Sequence, residues 1–269
     1  MNIFLKCSNK NSVSALDDIK EILNRYNHTF TVSENDAKKD DEKVRGCDLI
    51  ITVGGDGTLL SMNHLAIKYN KPILGINLGR LGFLTAIEGN QLNDLCRFFD
   101  HPEEYEIKKH SLLKARVNNS NWKYCLNDIV IAKHMFSNTI SSSVYCNDSN
   151  IGNIVCDSII VATATGSTAY SLSAGGPIVD NDLNALVISP VAVHSLNATP
   201  MVLAKNKIIT IKFDESRKQD IFVSFDGENH RQISEKDTVT VQLSNKALNI
   251  CSAKNMGQFA KVDKKIKLR

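Results

Sequence analysis

Residues 48–58 read Asp-Leu-Ile-Ile-Thr-Val-Gly-Gly-Asp-Gly-Thr. An apolar run of strand type, Leu49–Val53, stops abruptly at Gly54, Gly55 and Gly57, and the pattern predicts a helix from Thr58 to Tyr69. Glycine lets the backbone take positive φ and approach a ligand closely. Amides at a helix start favour anions. One carboxylate, Asp56, stands in the middle of the turn. There it would repel a phosphate unless it has another task, such as accepting a proton or reaching a magnesium ion. The stretch therefore predicts phosphate binding with chemistry attached, at the strand end where open α/β sheets take their ligands.

Two familiar phosphate loops fail on spacing. A Walker A loop needs a Lys after its last glycine, and none follows here. The dinucleotide fingerprint G-x-G-x-x-G has its first pair in Gly55 and Gly57, but Leu60 occupies the third glycine position.

Strand and helix patterns alternate through the first ninety residues. Asn2–Cys7, Thr29–Ser33 and Pro72–Asn77 read as strands. Val13, Leu16, Ile19, Ile22 and Leu23 recur at helical spacing, with Asn11 or Ser12 as N-cap. Residues 34–46 are heavily charged and read as a loop or an exposed helix. Such alternation predicts a mainly parallel sheet in an α/β domain over residues 1–100. From about residue 105 the pattern changes to short strands. These are 111–117, 122–126, 129–132, 141–146, 159–162, 185–189, 207–213, 221–225 and 238–243, with polar turns such as Asn118–Ser120 and Asn147–Asn150. They predict a β-sandwich-like, all-β domain over 101–252.

Composition limits the classes that need considering. The chain has 269 residues, 42% apolar and 23% charged, enough to bury a core. A net charge of +3 is too small to argue for nucleic acid. The basic residues Lys261, Lys264, Lys265, Lys267 and Arg269 read as a solvated tail. Seven cysteines, odd in number and without a C-x-x-C pair, indicate neither a disulfide framework nor a zinc site. No apolar run approaches the roughly 20 residues that span a bilayer, and Met1–Cys7 is too short for a signal peptide. A cytoplasmic protein with no membrane partner is expected.

A second constellation, Thr163–Val179, is built of small and hydroxyl residues inside the β-rich half. It reads as a backbone-lined pocket for a flat ligand or as a Ser/Thr surface loop.

Three segments together resemble the NAD kinase family in order and spacing. They are Gly-Gly-Asp-Gly-Thr (54–58), Gly-Ile-Asn-Leu-Gly-Arg-Leu-Gly-Phe-Leu-Thr (75–85) and Thr-Gly-Ser-Thr-Ala-Tyr-Ser-Leu-Ser-Ala-Gly-Gly-Pro (165–177). Leu126-Asn127-Asp128 and the stretch Ser189 to Leu196 are similar to two further family segments. The resemblance implies an N-terminal α/β domain to which residues 253–269 return, a C-terminal β-sandwich domain, and phosphorylation by ATP, with a divalent metal such as Mg²⁺, of the adenosine-ribose 2′-hydroxyl of NAD. It implies Asp56 as the general base, and Gly54, Gly55, Gly57 and Thr58 around phosphate oxygens. Asn127 and Asp128 would hold the ribose, and Thr168, Ala169, Tyr170 and Ser173 the adenosine. Asp157 would meet NAD, in some members across a subunit interface, and the protein would be a homodimer or homotetramer. No protein-built metal site is expected; magnesium would ride on the ATP phosphates.

The chain departs from the family pattern at Asp128, where the family has Glu, and at Cys156 and Ser158, where glycines flank the acid. It departs also at Ala164, in place of Pro, and Thr199, in place of Arg. Asp226-Gly227 reads as a hairpin turn, and Arg80 is a candidate phosphate contact. Two other functions fit the acidic turn alone: a lipid or sugar kinase, and a dinucleotide sensor without catalysis. The adenosine-type segment argues against the first and the intact Asp56 against the second.

Overall fold

The computed structural model describes residues 1–8, 13–79, 82–88, 92–134, 137–194, 198–255 and 257–266. Asn11, Ser12, Arg80, Ser195 and Leu196 lie outside them. The chain forms two compact units, one of Met1–His110 with Ala247–Arg269 and one of Ser111–Lys246.

In the first unit, strands Ile73–Asn77, Leu49–Val53, Asn2–Cys7 and Thr29–Val32 lie side by side in that order, all parallel. Ile250 pairs with Ile73 at one side, and the short strand Ile87–Glu88 pairs with Ile76 and Asn77. Strand Asn2–Cys7 has the next strand in sequence on one side and the one after that on the other. This reversal is a topological switch point, and Cys7 pairs with Val53 at the carboxyl ends of the two strands that flank it. Leu49–Val53 is buried throughout, as a strand covered on both faces must be. Helix Val13–Arg25 supplies Ile19, Ile22 and Leu23 to one core, together with Leu95 from helix Asn93–Asp100. The charged stretch forms helix Ala37–Gly46, whose start is fixed by Asp36 accepting from the Lys38 and Lys39 amides.

After Val53 the helix begins at Asp56, two residues before the expected start, and it is interrupted. Asp56–Ser61 and Asn63–Tyr69 are separate pieces joined at Met62.

The second unit is a sandwich. One sheet is antiparallel in the order Met201–Ala204, Ala185–Val191, Ser158–Thr163, Asp128–Lys133, Ile221–Phe225, Glu228–Ile233. Facing it are Ser149–Cys156, Ile140–Cys146, Ile208–Phe213 and the start of Thr238–Ala253, also antiparallel. The shared core takes Ile129, Ile131, Ile159 and Val161 from the first sheet and Val144, Ile154, Ile211 and Val239 from the second. Ile160, Ala162 and Val187 point to the other face, where Ala164 and Val179 cover them. The small-residue segment is thereby packed against the outside of the six-stranded sheet. All seven cysteines are free. Among the described residues, no helix is long and apolar enough to cross a membrane.

Candidate active site

The three glycines of the turn have different reasons to be glycine. Gly54 has φ +155°, and a Cβ there would collide with the hydroxyls of Thr58 and Ser8. Gly55 and Gly57 are exposed, and a Cβ on either would stand in open space. Folding demands Gly54; at the other two, the missing side chains leave the loop backbone bare, as close approach of a phosphate requires.

Asp56 is half-buried and held by backbone. The Phe83 N–H donates to its Oδ2 at 2.8 Å and the Leu84 N–H to its Oδ1 at 3.1 Å. A carboxylate offers about four lone-pair sites, so two anchoring bonds leave it able to accept more. Gly82 makes the fit possible, since a Cβ there would overlap the Asp56 carboxylate and the Thr85 hydroxyl. The sequence points to Asp56 but shows no role for Gly82, Phe83 or Leu84 in holding it, because backbone donors leave no mark in residue type.

The basic C-terminal stretch overturns one expectation. Gln258–Ile266 is a helix, and Lys261 within it is 5% exposed and not part of a solvated tail. Its Nζ donates to the carbonyls of Phe83 and Thr85, each at 2.9 Å. The Lys265 ammonium lies 3.9 Å from the Phe83 ring centroid, a cation–π contact.

In the second unit a pocket of about 390 Å³ is lined by Asn127, Asp128, Val130, Ala169, Tyr170, Ser224, Asp226 and Gly227. It joins three segments far apart in sequence. Asp226 organises it. Its carboxylate accepts from the amides of Leu126 and Asn127, each at 2.7 Å, and of Asp128 at 3.1 Å, while its own N–H donates to Asp128 O. Asp226 and Gly227 both have positive φ, so the hairpin turn read from the sequence is real, and it also anchors the Asn127–Asp128 loop. From the other side, the Thr163 hydroxyl donates to Leu126 O at 2.6 Å and the Thr163 N–H to Asn127 O at 2.9 Å.

The small-residue segment divides in two. Thr165, Ser167 and Ser171 are buried, with the Ser167 hydroxyl bonded to Val179 and that of Ser171 to Ser189 at 2.9 Å. The Ser167 and Ser171 hydroxyls are thus satisfied inside the fold, one by backbone and one by the Ser189 hydroxyl. Ala169 and Tyr170 open onto the pocket, with Tyr170 47% exposed. Thr168 and Ser173 are not among its lining residues. The Thr168 hydroxyl donates to Thr165 O, and Ser173 is exposed. Asp157 also lies outside that lining, paired with Lys133 at 3.0 Å.

Two departures from the family pattern fit without strain. Neither Cys156 nor Ser158 takes positive φ, so glycine is not needed beside Asp157. Ala164 holds φ −56°, the value proline would impose.

Burial, with the Asp226 charge second, pushes the Asp128 carboxyl up to about 7. In the unfolded chain it returns to its ordinary 3.8. The folded state thus holds an extra proton between these values, and stability falls as pH rises from about 4 to about 7 and stays lowered above. Asp128→Asn removes that penalty. Thermal melts should show the variant several degrees above the native protein at pH 8 and level with it at pH 4. Equal midpoints at pH 8 would contradict the buried, ionised carboxylate.

Comparison with known proteins agrees with this geometry. Residues 6–103 match the ATP-NAD kinase N-terminal domain model and residues 126–253 the ATP-NAD kinase C-terminal domain model. The NAD kinase of Caldicellulosiruptor saccharolyticus is 34% identical over 99% of both chains. That of Caldanaerobacter subterraneus subsp. tengcongensis is 36% identical over 84% of this chain and 81% of its own. The fold matches an NAD kinase from Archaeoglobus fulgidus solved with ATP, with a TM-score of 0.80, 24% identity and 99% of both chains covered. It also matches yeast NADH kinase solved with NADH, with a TM-score of 0.87, 21% identity, and 100% of this chain and 88% of that one covered. The chain belongs to the NAD kinase family and is an ATP-dependent phosphotransferase that converts NAD to NADP.

Proposed function

We propose that each unit carries a separate part of the reaction. Asp56 accepts the proton of the adenosine-ribose 2′-hydroxyl as that oxygen attacks the γ-phosphorus of ATP and ADP leaves. General base catalysis of this kind is worth about 10²–10⁴-fold. The bare amides of Gly55 and Gly57 neutralise phosphate oxygens, while Gly54 and Thr58, whose own N–H groups donate to Ile76 O and Gly55 O, shape the turn around the phosphate. The rest of the work is positioning and charge neutralisation, as in phosphoryl transfer generally. Asn127 and Asp128 hold the ribose, and Ala169 and Tyr170 the adenosine; Thr168 and Ser173 on the adenosine, and Asp157 on NAD, rest on the family resemblance alone, since all three lie outside the pocket lining.

The observation that carries this reading is the pocket of the second unit, which gathers Asn127, Asp128, Ala169 and Tyr170. Its size suits part of a nucleotide. Among the described residues no group of three or more His, Cys, Asp and Glu side chains could hold a metal ion. We propose that the divalent metal enters on the phosphates of ATP, keeping several of its waters. On the family resemblance we also assign the protein to the cytoplasm and to a homodimeric or homotetrameric state.

The test is Asp226→Asn. Asn tolerates positive φ, so the turn survives, but an NH₂ replaces one of the oxygens facing three amides. Losing hydrogen bonds to a charged group costs about 1.5–3 kcal/mol. The KM for NAD should rise about tenfold or more, with the KM for ATP within about twofold. Unchanged NAD kinetics would separate the pocket from NAD binding.

A further inference from the structure

The segment Phe83–Thr85 is gripped from two directions. Its Phe83 and Leu84 N–H groups hold the Asp56 carboxylate. Its Phe83 and Thr85 carbonyls accept from the buried Lys261 ammonium. A buried ammonium carries a desolvation cost that packing alone does not offset, and an apolar side chain of similar volume would serve a purely structural end as well or better. What the charge provides here is a firm hold on two carbonyls and a favourable field at Asp56. We propose that Lys261 is a positioning residue for the kinase reaction, fixing the Phe83–Thr85 turn and through it the Asp56 carboxylate. The proposal rests on the reading of Asp56 as the base.

The charged and titratable groups acting on Lys261 are Asp56, which favours its charge, and Lys265 and Lys108, which oppose it. His110 also lies within its field, and its own burial lowers it to about 4, so it is neutral where the enzyme works. Burial brings the Lys261 ammonium down to about 8. Its charge is complete below that value and is lost as pH rises through it. If the charge supports Asp56, kcat falls on the alkaline side with a midpoint near 8.

The experiment is the pH profile of kcat for the native enzyme, Lys261→Arg, Lys261→Met and Lys265→Gln, with melting temperatures measured beside it. Arginine keeps its charge throughout this range. The alkaline limb should vanish in Lys261→Arg, whose kcat at pH 7 stays within about fivefold of native, and persist in Lys265→Gln. Lys261→Met, if folded, should lose about tenfold or more in kcat while the KM for NAD moves less than about threefold. A folded Lys261→Met enzyme with native kcat overturns the proposal. So does a limb that survives Lys261→Arg or disappears in Lys265→Gln. If Lys261→Met does not fold, the limb of Lys261→Arg decides. Asp56→Asn separates the two readings: activity in that variant removes the base itself, whereas an inactive Asp56→Asn beside native-like Lys261 variants removes only the role of Lys261.

Discussion

Asp56→Asn is expected to lower kcat by about 10²–10⁴-fold while leaving the affinity for NAD within about threefold. The substitution keeps the shape of the side chain, which packs so close to Gly82 that a Cβ on that glycine would overlap it. It removes the negative charge and the basic oxygen that would take the alcohol's proton. One of the Phe83 and Leu84 amides would face an NH₂ in place of an oxygen, a local cost of about 1 kcal/mol. The expected pattern is therefore a folded, slightly less stable protein that binds NAD and turns over poorly. Calorimetry for binding and a coupled assay for turnover check it. Turnover near the native value would remove Asp56 from the base role, whatever the state of the pocket.

Gly166→Ala should act on the other unit and through another route. Gly166 begins its turn by donating to the Thr163 hydroxyl at 2.9 Å, and that hydroxyl is bonded in turn to Leu126 O. A Cβ on Gly166 would overlap Asn127 O and the Asn127 carbonyl carbon, and would stand 2.7 Å from Asn127 Cα. These atoms are backbone and cannot rotate away. Overpacking of this kind costs about 1–3 kcal/mol, and more where a backbone must move. The Asn127–Asp128 loop would be displaced, with a weakening of NAD binding of about 30-fold or more expected at 2 kcal/mol. A lowered melting temperature should accompany it. Native NAD affinity in this variant would show that the packing of the Thr165–Thr168 turn on Asn127 does not set the pocket.

The strand–turn–helix at 48–58 was legible because the apolar run and the glycines that end it are both local signals. Other features were not local. The three strands of more than two residues absent from the sequence reading, Ser149–Cys156, Met201–Ala204 and Glu228–Ile233, all lie at sheet edges. An edge strand need bury little, and Glu-Asn-His-Arg-Gln-Ile carries no apolar alternation to detect. Helix Asn93–Asp100 was also missed, although Leu95 packs in the core. Lys261 was misread with its basic neighbours because charge density predicts solvent and cannot reveal two waiting carbonyls. The hydroxyls of Ser167 and Ser171 suggested a pocket wall, but one is bonded to buried backbone and the other to the Ser189 hydroxyl. Asp226 gave a clear turn signal; its three-amide anchor on a segment about a hundred residues away left none.

The most direct measurement is the identity of the product. The purified protein would be incubated with NAD, ATP and Mg²⁺, with ADP release and NADP followed together, the latter by a dehydrogenase specific for NADP. The account predicts one NADP formed for each ADP released. ADP released without NADP, or neither formed although NAD binds, would contradict it.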